Sequence, residues 1–127
     1  MEVNRPDVLA EVEACFARYE DALTTNDVAL LSELFWADPA VVRFGPAENL
    51  YGHEEIASYR RQRPADDLTR ELLRIVITTF GSDFATTSTE FRRTRSGRSG
   101  RQSQTWARTE WGWRIVAAHV SALGPGS

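Results

Sequence analysis

The run LTRELLRIVITTF, Leu68–Phe80, decides the architecture of this chain. Leu73, Ile75 and Ile77 fall on one side of it, while Leu72, Val76 and Phe80 share the other with Arg70 and Arg74. That alternation has the two-residue period of a strand, not the three-to-four spacing of a helix. Three further runs of the same kind follow: Asp83–Arg93, Arg101–Thr109 and Gly112–Ser121. Gly81-Ser82, the Ser/Gly/Arg-rich loop Thr94–Gly100 and Glu110-Trp111-Gly112 separate them, so the second half of the chain reads as a long antiparallel meander.

Upstream the period changes. Pro6 and Asp7 open a segment in which Val8, Val12, Cys15, Phe16, Tyr19, Ala22 and Leu23 recur at helical spacing, ending near Thr25. Asn26 is placed to cap a second helix from Asp27 to about Trp36, with Leu30, Leu31, Leu34 and Phe35 facing inward and Ala37-Asp38-Pro39 stopping it. After short strands at Val41–Phe44 and Asn49–Tyr51, a third helix is expected from His53 to about Arg63. Glu54 and Glu55 in its first turn, with Arg60, Arg61 and Arg63 in its last, match the helix dipole at both ends. Three helices before a meander of long strands predict an α+β fold in which a curved sheet wraps the helices. Helices cover one sheet face only. In the last strand Ile115, Ala117 and His119 share a side against Val116, Ala118 and Val120, and a second apolar face predicts a homodimer.

The 127 residues, 42% of them apolar, form one domain spanning 1–127. A net charge of −3 points away from nucleic acid and acidic membrane surfaces as partners. All 15 basic residues are arginine, which excludes a Schiff-base lysine and favours bidentate recognition of carboxylates, although codon bias produces the same pattern. No basic leader precedes an apolar stretch and no run approaches the roughly 20 residues of a membrane span, so a soluble cytoplasmic protein is expected. Cys15, alone of its kind, reads as core packing, and two histidines form no metal cluster; neither metal nor cofactor is expected.

The stretch AVVRFGPAENLYG, Ala40–Gly52, sets Arg43 among Val41, Val42 and Phe44, where a guanidinium needs a partner. Tyr19, on the apolar side of the first helix, needs one for its hydroxyl. The two meet that need together around a ligand, with Gln102 and Gln104 in phase with Trp106 and with His119 nearby, or separately. In the separate reading Arg43 pairs with Glu48 or Glu90, Tyr19 bonds a backbone carbonyl and His119 is a satisfied interior residue. Spacing alone carries no catalytic motif.

A longer string of residues adds a resemblance. Phe16-x-x-Tyr19, Ala22-Leu23-x-x-Asn26-Asp27, Leu34-Phe35-Trp36, Val42-Arg43-Phe44-Gly45, Glu48-Asn49-Leu50-Tyr51-Gly52, Ala85-Thr86-x-x-Thr89-Glu90-Phe91, Gly100-Arg101-Gln102-Ser103-Gln104-Thr105-Trp106 and Trp113-Arg114-Ile115-Val116-Ala117-Ala118-His119-Val120-Ser121 closely resemble the AtzH-like family, which includes proteins named for oxalurate catabolism. That family lies within the cone-shaped superfamily of SnoaL-like proteins, ketosteroid isomerase and nuclear transport factor 2. The resemblance implies helices packed in the concave face of a curved, mainly antiparallel sheet. It also implies a metal-independent decarboxylating amidohydrolase acting on a dicarboxylated urea or a related small carboxylated ureide. Tyr19 and Arg43 match a tyrosine and an arginine the family needs: Arg43 to hold a substrate carboxylate, Tyr19 to donate a hydrogen bond or proton to the carbonyl or leaving nitrogen. Trp36, Glu48, Gln104, Trp106 and His119 complete the expected substrate-binding set. The Thr94–Ser99 loop and Gly124–Ser127 depart from the family pattern and are expected to stay clear of the site. A second reading is a non-catalytic ureide binder or the dimeric accessory partner of an amidase. A third is an acid/base isomerase, which requires Glu48 or Glu90 to point inward.

Overall fold

The computed structural model describes residues 1–124. Along the chain run α1 (Pro6–Thr24), α2 (Val28–Leu34), β1 (Val42–Phe44), β2 (Asn49–Tyr51), α3 (His53–Gln62), β3 (Arg70–Phe80), β4 (Phe84–Arg93), β5 (Ser99–Thr109) and β6 (Gly112–Ala122). One six-stranded sheet in the order β2-β1-β6-β5-β4-β3 curves around the helices, giving the α+β cone expected from the alternating periods. Every pairing is antiparallel except that of β1 with β6, which is parallel.

Local chemistry sets the helix ends. Pro6 sits in the first turn of α1, where its missing N–H costs nothing, and Val8, Val12, Phe16, Tyr19, Ala22 and Leu23 form the buried stripe. Asn26 does not cap α2; it takes a left-handed conformation (φ 52°) in the link between helices, and the carboxylate of Asp27 accepts from Leu30 N at 3.1 Å instead. The second helix also stops earlier than predicted, at Leu34. Phe35 forms a bridge with Ile115 and Trp36 N donates to Ile115 O at 2.9 Å, so the sheet captures this backbone before another helical turn can form.

Two single-residue bulges correct the predicted faces. Leu72 lies opposite Phe91 and Arg74 opposite Glu90, leaving Leu73 without a partner in the ladder; Thr105 lies opposite Ala117 and Trp106 opposite Ile115, leaving Val116 extra. One extra residue reverses which side the following residues face. Arg70 and Leu72 therefore share the inner face with Ile75, Ile77 and Thr79, not with Arg74. In β6 the inner set runs Trp113, Ile115, then Ala118 and Val120, and His119 is turned to the outer face with Ala117. Trp106, Ile115, Phe35, Leu31, Leu34, Val8, Val12 and Ile56 are fully buried between helices and sheet, and Cys15 packs half-buried against them. Among the described residues, no helix is long and apolar enough to cross a membrane, and no cluster of three His, Cys, Asp or Glu side chains is placed to hold a metal.

Candidate functional site

β1 is wedged between β2 and β6, and its alternation sends Val42 and Phe44 outward and Arg43 inward, level with Ala118. Arg43 is 5% exposed, donates from Nη1 to Glu48 Oε1 at 2.8 Å, and lies 5.1 Å from the centre of the Tyr59 ring. The β1–β2 turn fixes Glu48: Gly45 N donates to its carbonyl at 2.9 Å and Ala47 N to its Oε2 at 3.2 Å. A Cβ at position 45 would fall 1.7 Å from Glu48 Oε1, so this turn holds its carboxylate only over a glycine. Of the two expected carboxylate partners of Arg43, Glu48 is the one observed. Glu90 is exposed and opposite Arg74 and Arg101 on the outer face.

The hydroxyl of Tyr19 bonds no backbone carbonyl; it accepts from Arg60 Nη2 at 2.9 Å. Arg60, 1% exposed on the inner face of α3, is flanked by the rings of Phe35 (5.7 Å) and Tyr19 (5.9 Å). Its Nε and Nη1 have no partner, and among the described residues no carboxylate pairs with it. One turn further on, Nε and Nη2 of Arg63 are also buried without partners. Arg70 is neutralised: its Nε donates to Glu20 Oε2 at 3.2 Å, its Nη2 to Glu20 Oε1, and Nη2 also reaches Gln102 Oε1 at 3.5 Å. The guanidiniums of Arg70 and Arg93 lie over the Phe91 ring, 4.4 Å and 5.0 Å from its centre.

On β5, Gln104 Oε1 accepts from Thr87 Oγ1 at 2.9 Å and from Trp106 Nε1 at 3.1 Å. An indole nitrogen only donates, so the amide is oriented with its oxygen toward Trp106 and its NH₂ left free. Arg70 orients Gln102 by the same rule, and both Nε2 atoms are buried without partners. The orphaned nitrogens of Arg60, Arg63, Gln102 and Gln104 are thus all donors. Each unsatisfied buried group costs about 1–3 kcal/mol, and oxygens of an anionic ligand would relieve that cost.

The concave face opens through a cavity of about 280 Å³ lined by Arg43, Glu48, Tyr59, Arg63, Phe91 and Arg93, among others. Its size suits a ligand of few heavy atoms. Arg98 and Ser99 also line it, so the Thr94–Ser99 loop touches the site it was expected to avoid: the β4–β5 hairpin folds over the mouth. Of the Gly124–Ser127 tail, residues 125–127 lie outside the described residues.

Burial is the largest influence on the Tyr19 hydroxyl and would raise its pKa, but the guanidiniums of Arg60, Arg43 and Arg70 together hold it below the ordinary tyrosine value. Burial lowers Arg60 and Arg93 below the ordinary guanidinium value and brings Arg63 down to about 10, so Arg63 remains protonated at neutral pH.

Of the residues singled out in the sequence, Tyr19, Arg43, Glu48 and Gln104 turn toward the interior of the cone. Trp106 is wholly buried behind Gln104 and orients it. Trp36 packs half-buried against the core and does not line the cavity; Phe35 takes the interior place because the chain leaves the helix before Trp36. His119 is exposed on the outer face, edge-on to Phe44 at 5.9 Å, because of the bulge at Val116. Arg60 and Arg63 were expected only to match the helix dipole. Their signal was the spacing of Ile56, Ala57 and Arg60, which places Arg60 on the apolar face.

A family profile described as AtzH-like matches residues 1–126. Among solved structures, a protein of unknown function from Pectobacterium atrosepticum is 59% identical over 96% of this chain and 95% of its own, with a TM-score of 0.93. A cystatin-like-fold protein from Burkholderia xenovorans is 49% identical over 98% of each chain, also at 0.93. A nuclear transport factor 2-like protein from Salmonella enterica serovar Typhimurium, 24% identical over 95% of this chain and 94% of its own, has a TM-score of 0.77, a likeness of fold alone. No curated protein matches the chain.

Proposed function

The chain belongs to the AtzH-like family, and from that premise we propose that it binds and turns over a small carboxylated ureide as a decarboxylating amidohydrolase. The observation that carries this reading is a set of buried donors without partners on Arg60, Arg63, Gln102 and Gln104, against two unpartnered oxygens, Asn26 Oδ1 and Thr79 Oγ1; Arg63 lines the cavity beside Glu48 and Asp67, and the other three lie behind that lining. An anion rich in carbonyl and carboxylate oxygens is the complement of those donors. In this reading Arg43 and Arg63 hold a carboxylate near the mouth. Tyr19 gives its proton to the departing nitrogen as water adds to the acyl carbon and the C–N bond breaks. The released carbamate, once protonated on nitrogen, loses carbon dioxide. Arg43→Ala and Tyr19→Phe are expected each to lower turnover of the best carboxylated ureide by about 10²–10³, the usual cost of one such donor. Unchanged turnover in both variants, followed by mass spectrometry, would overturn the assignment.

A second reading, a ureide binder or amidase accessory, is favoured by one observation: no free general base faces Tyr19 among the described residues. Glu48 and Glu20 are tied to arginines, the His53 ring contacts Ser32 O at 2.7 Å, and His119 is outside. Calorimetry showing a ureide bound and recovered intact would select it. The isomerase reading loses its candidate bases, since Glu90 is exposed and Glu48 is paired.

For the outer sheet face we propose a second copy of the chain as occupant. Val76 and Phe84 are about half exposed there, and the row Arg74, Glu90, Arg101 alternates in charge, which a two-fold axis can pair with itself.

A further inference from the structure

Arg60 is a buried guanidinium with two unpartnered nitrogens, and its single hydrogen bond goes to the one hydroxyl the proposed reaction uses. We infer that Arg60 is the positioning residue that makes Tyr19 the proton donor of the site, an inference that rests on the amidohydrolase reading above.

The geometry works through the hydrogen bond's direction. A guanidinium donates and never accepts. Arg60 Nη2 therefore occupies a lone pair of the Tyr19 oxygen, and the hydroxyl hydrogen must point elsewhere. Among the described residues it meets no acceptor; Tyr19 is 1% exposed and lies behind the side chains that line the mouth, so a ligand meets this hydrogen only by reaching past them. The charges facing the ring come from every element around it: Arg60, Arg63 and Tyr59 from α3, Arg43 with Glu48 from β1 and its turn, Arg70 from β3 with Glu20 from α1 itself, and Arg93 from β4. Glu20 and Glu48 are committed to arginines and Asp67 acts on Arg93, so five guanidiniums stand against three carboxylates and the surplus is positive. Beside Arg60, Arg43 and Arg70 the Tyr19 phenolate is easier to form than that of an ordinary tyrosine, despite the opposing effect of burial, and a phenolate is what a proton donor must become.

The proton step balances within the site. The Tyr19 O–H bond breaks and its hydrogen passes to the ligand nitrogen; the electron pair of the breaking C–N bond stays on that nitrogen, water oxygen takes its place on carbon, and the surplus proton of that water leaves to solvent as the product acid ionises. The phenolate left behind is held by the Arg60 guanidinium until a proton returns from solvent through the mouth. Arg60 touches Tyr19, not the reacting atoms.

The test uses the full chain with Tyr51→Phe and Tyr59→Phe, which leaves Tyr19 as the sole tyrosine of the original three. Tyrosinate absorbance is followed from neutral to strongly alkaline pH. Tyr19 should ionise below the ordinary value of 10.0, and Arg60→Met should raise that midpoint by about one pH unit or more. Arg60→Lys, which keeps the charge, should hold it low. Arg60→Gln serves if the methionine variant does not fold. In the native background Arg60→Met should lower kcat about 10²-fold with little change in KM. A midpoint that does not respond to loss of the Arg60 charge overturns the inference. If the midpoint moves as expected while no ureide is turned over by the native protein, the Arg60–Tyr19 coupling stands and the amidohydrolase reading fails.

Discussion

Replacing Arg60 by methionine should make the empty protein more stable. The side chain is 1% exposed, has no carboxylate partner, and leaves Nε and Nη1 unsatisfied. An uncompensated buried ion costs several kcal/mol, and exchanging buried ionic groups for apolar ones of similar volume stabilises by about 1–4 kcal/mol. Against this stands the hydrogen bond to Tyr19 at 2.9 Å, worth about 1.5–3 kcal/mol as a bond to a charged group. Methionine keeps the unbranched reach and sets a sulfur between the Tyr19 and Phe35 rings, a contact that returns part of the cation–π attraction. The net expectation is a gain of about 0.5–2 kcal/mol, or about 2–8 °C in Tm for a domain of this size. Urea unfolding and calorimetry read it, with an unchanged m-value showing that the same surface is exposed. Small dicarboxylates at 100 times their Kd should stabilise the wild type by about 2.7 kcal/mol and the variant far less. A folded Arg60→Met protein that is no more stable than wild type, with the anion's effect intact, would refute the view that the interior carries an uncompensated charge awaiting a ligand.

Alkaline stability offers a second check. The folded chain releases the Tyr19 proton below the 10.0 at which the unfolded chain does, so its stabilising contribution is absent below the lowered folded value, grows as pH rises through that window, and is complete above 10.0. The gap in urea midpoint between wild type and Tyr19→Phe should widen from neutral to alkaline pH; a constant gap contradicts the assignment. Gly100→Ala would place a Cβ 2.5 Å from both Phe91 Cζ and Ser121 O. The carbonyl belongs to a paired strand and cannot retreat, so a loss of about 1–3 kcal/mol is expected in a thermal melt, and an unchanged Tm would contradict it. Light scattering at micromolar concentration should give twice the chain mass of 14.3 kDa; the single-chain mass would leave the outer sheet face without its proposed occupant.

The periods of the sequence were enough to read the helices, the meander and the inward turn of Tyr19, Arg43, Gln102 and Gln104, because burial on one face leaves a repeating trace. A bulge leaves none. Val116 and Leu73 are ordinary strand residues, and only the partner strand reveals that each is one too many. His119 and Arg70 changed faces for that reason. The end of α2 was hidden likewise, since Phe35 and Trp36 suit a helix and are drawn away by Ile115, 80 positions later in the chain. Arg60 and Arg63 were visible but misjudged: two explanations, a dipole complement and a buried cation, fit the same letters, and only burial decides between them.

The parallel pairing of β1 with β6 has a consequence for biosynthesis. Val42 waits for Ala117, made 75 positions later, and at about 5–20 residues per second that interval is about 4–15 s. Until then the nascent segment bearing Arg43 has the β2 side of its ladder at most, and Phe35 has no bridge to Ile115. The cavity beside Arg43 therefore cannot assemble stepwise on the ribosome; it closes in one late event, when β6 slots between β1 and β5 and joins the two halves of the sheet.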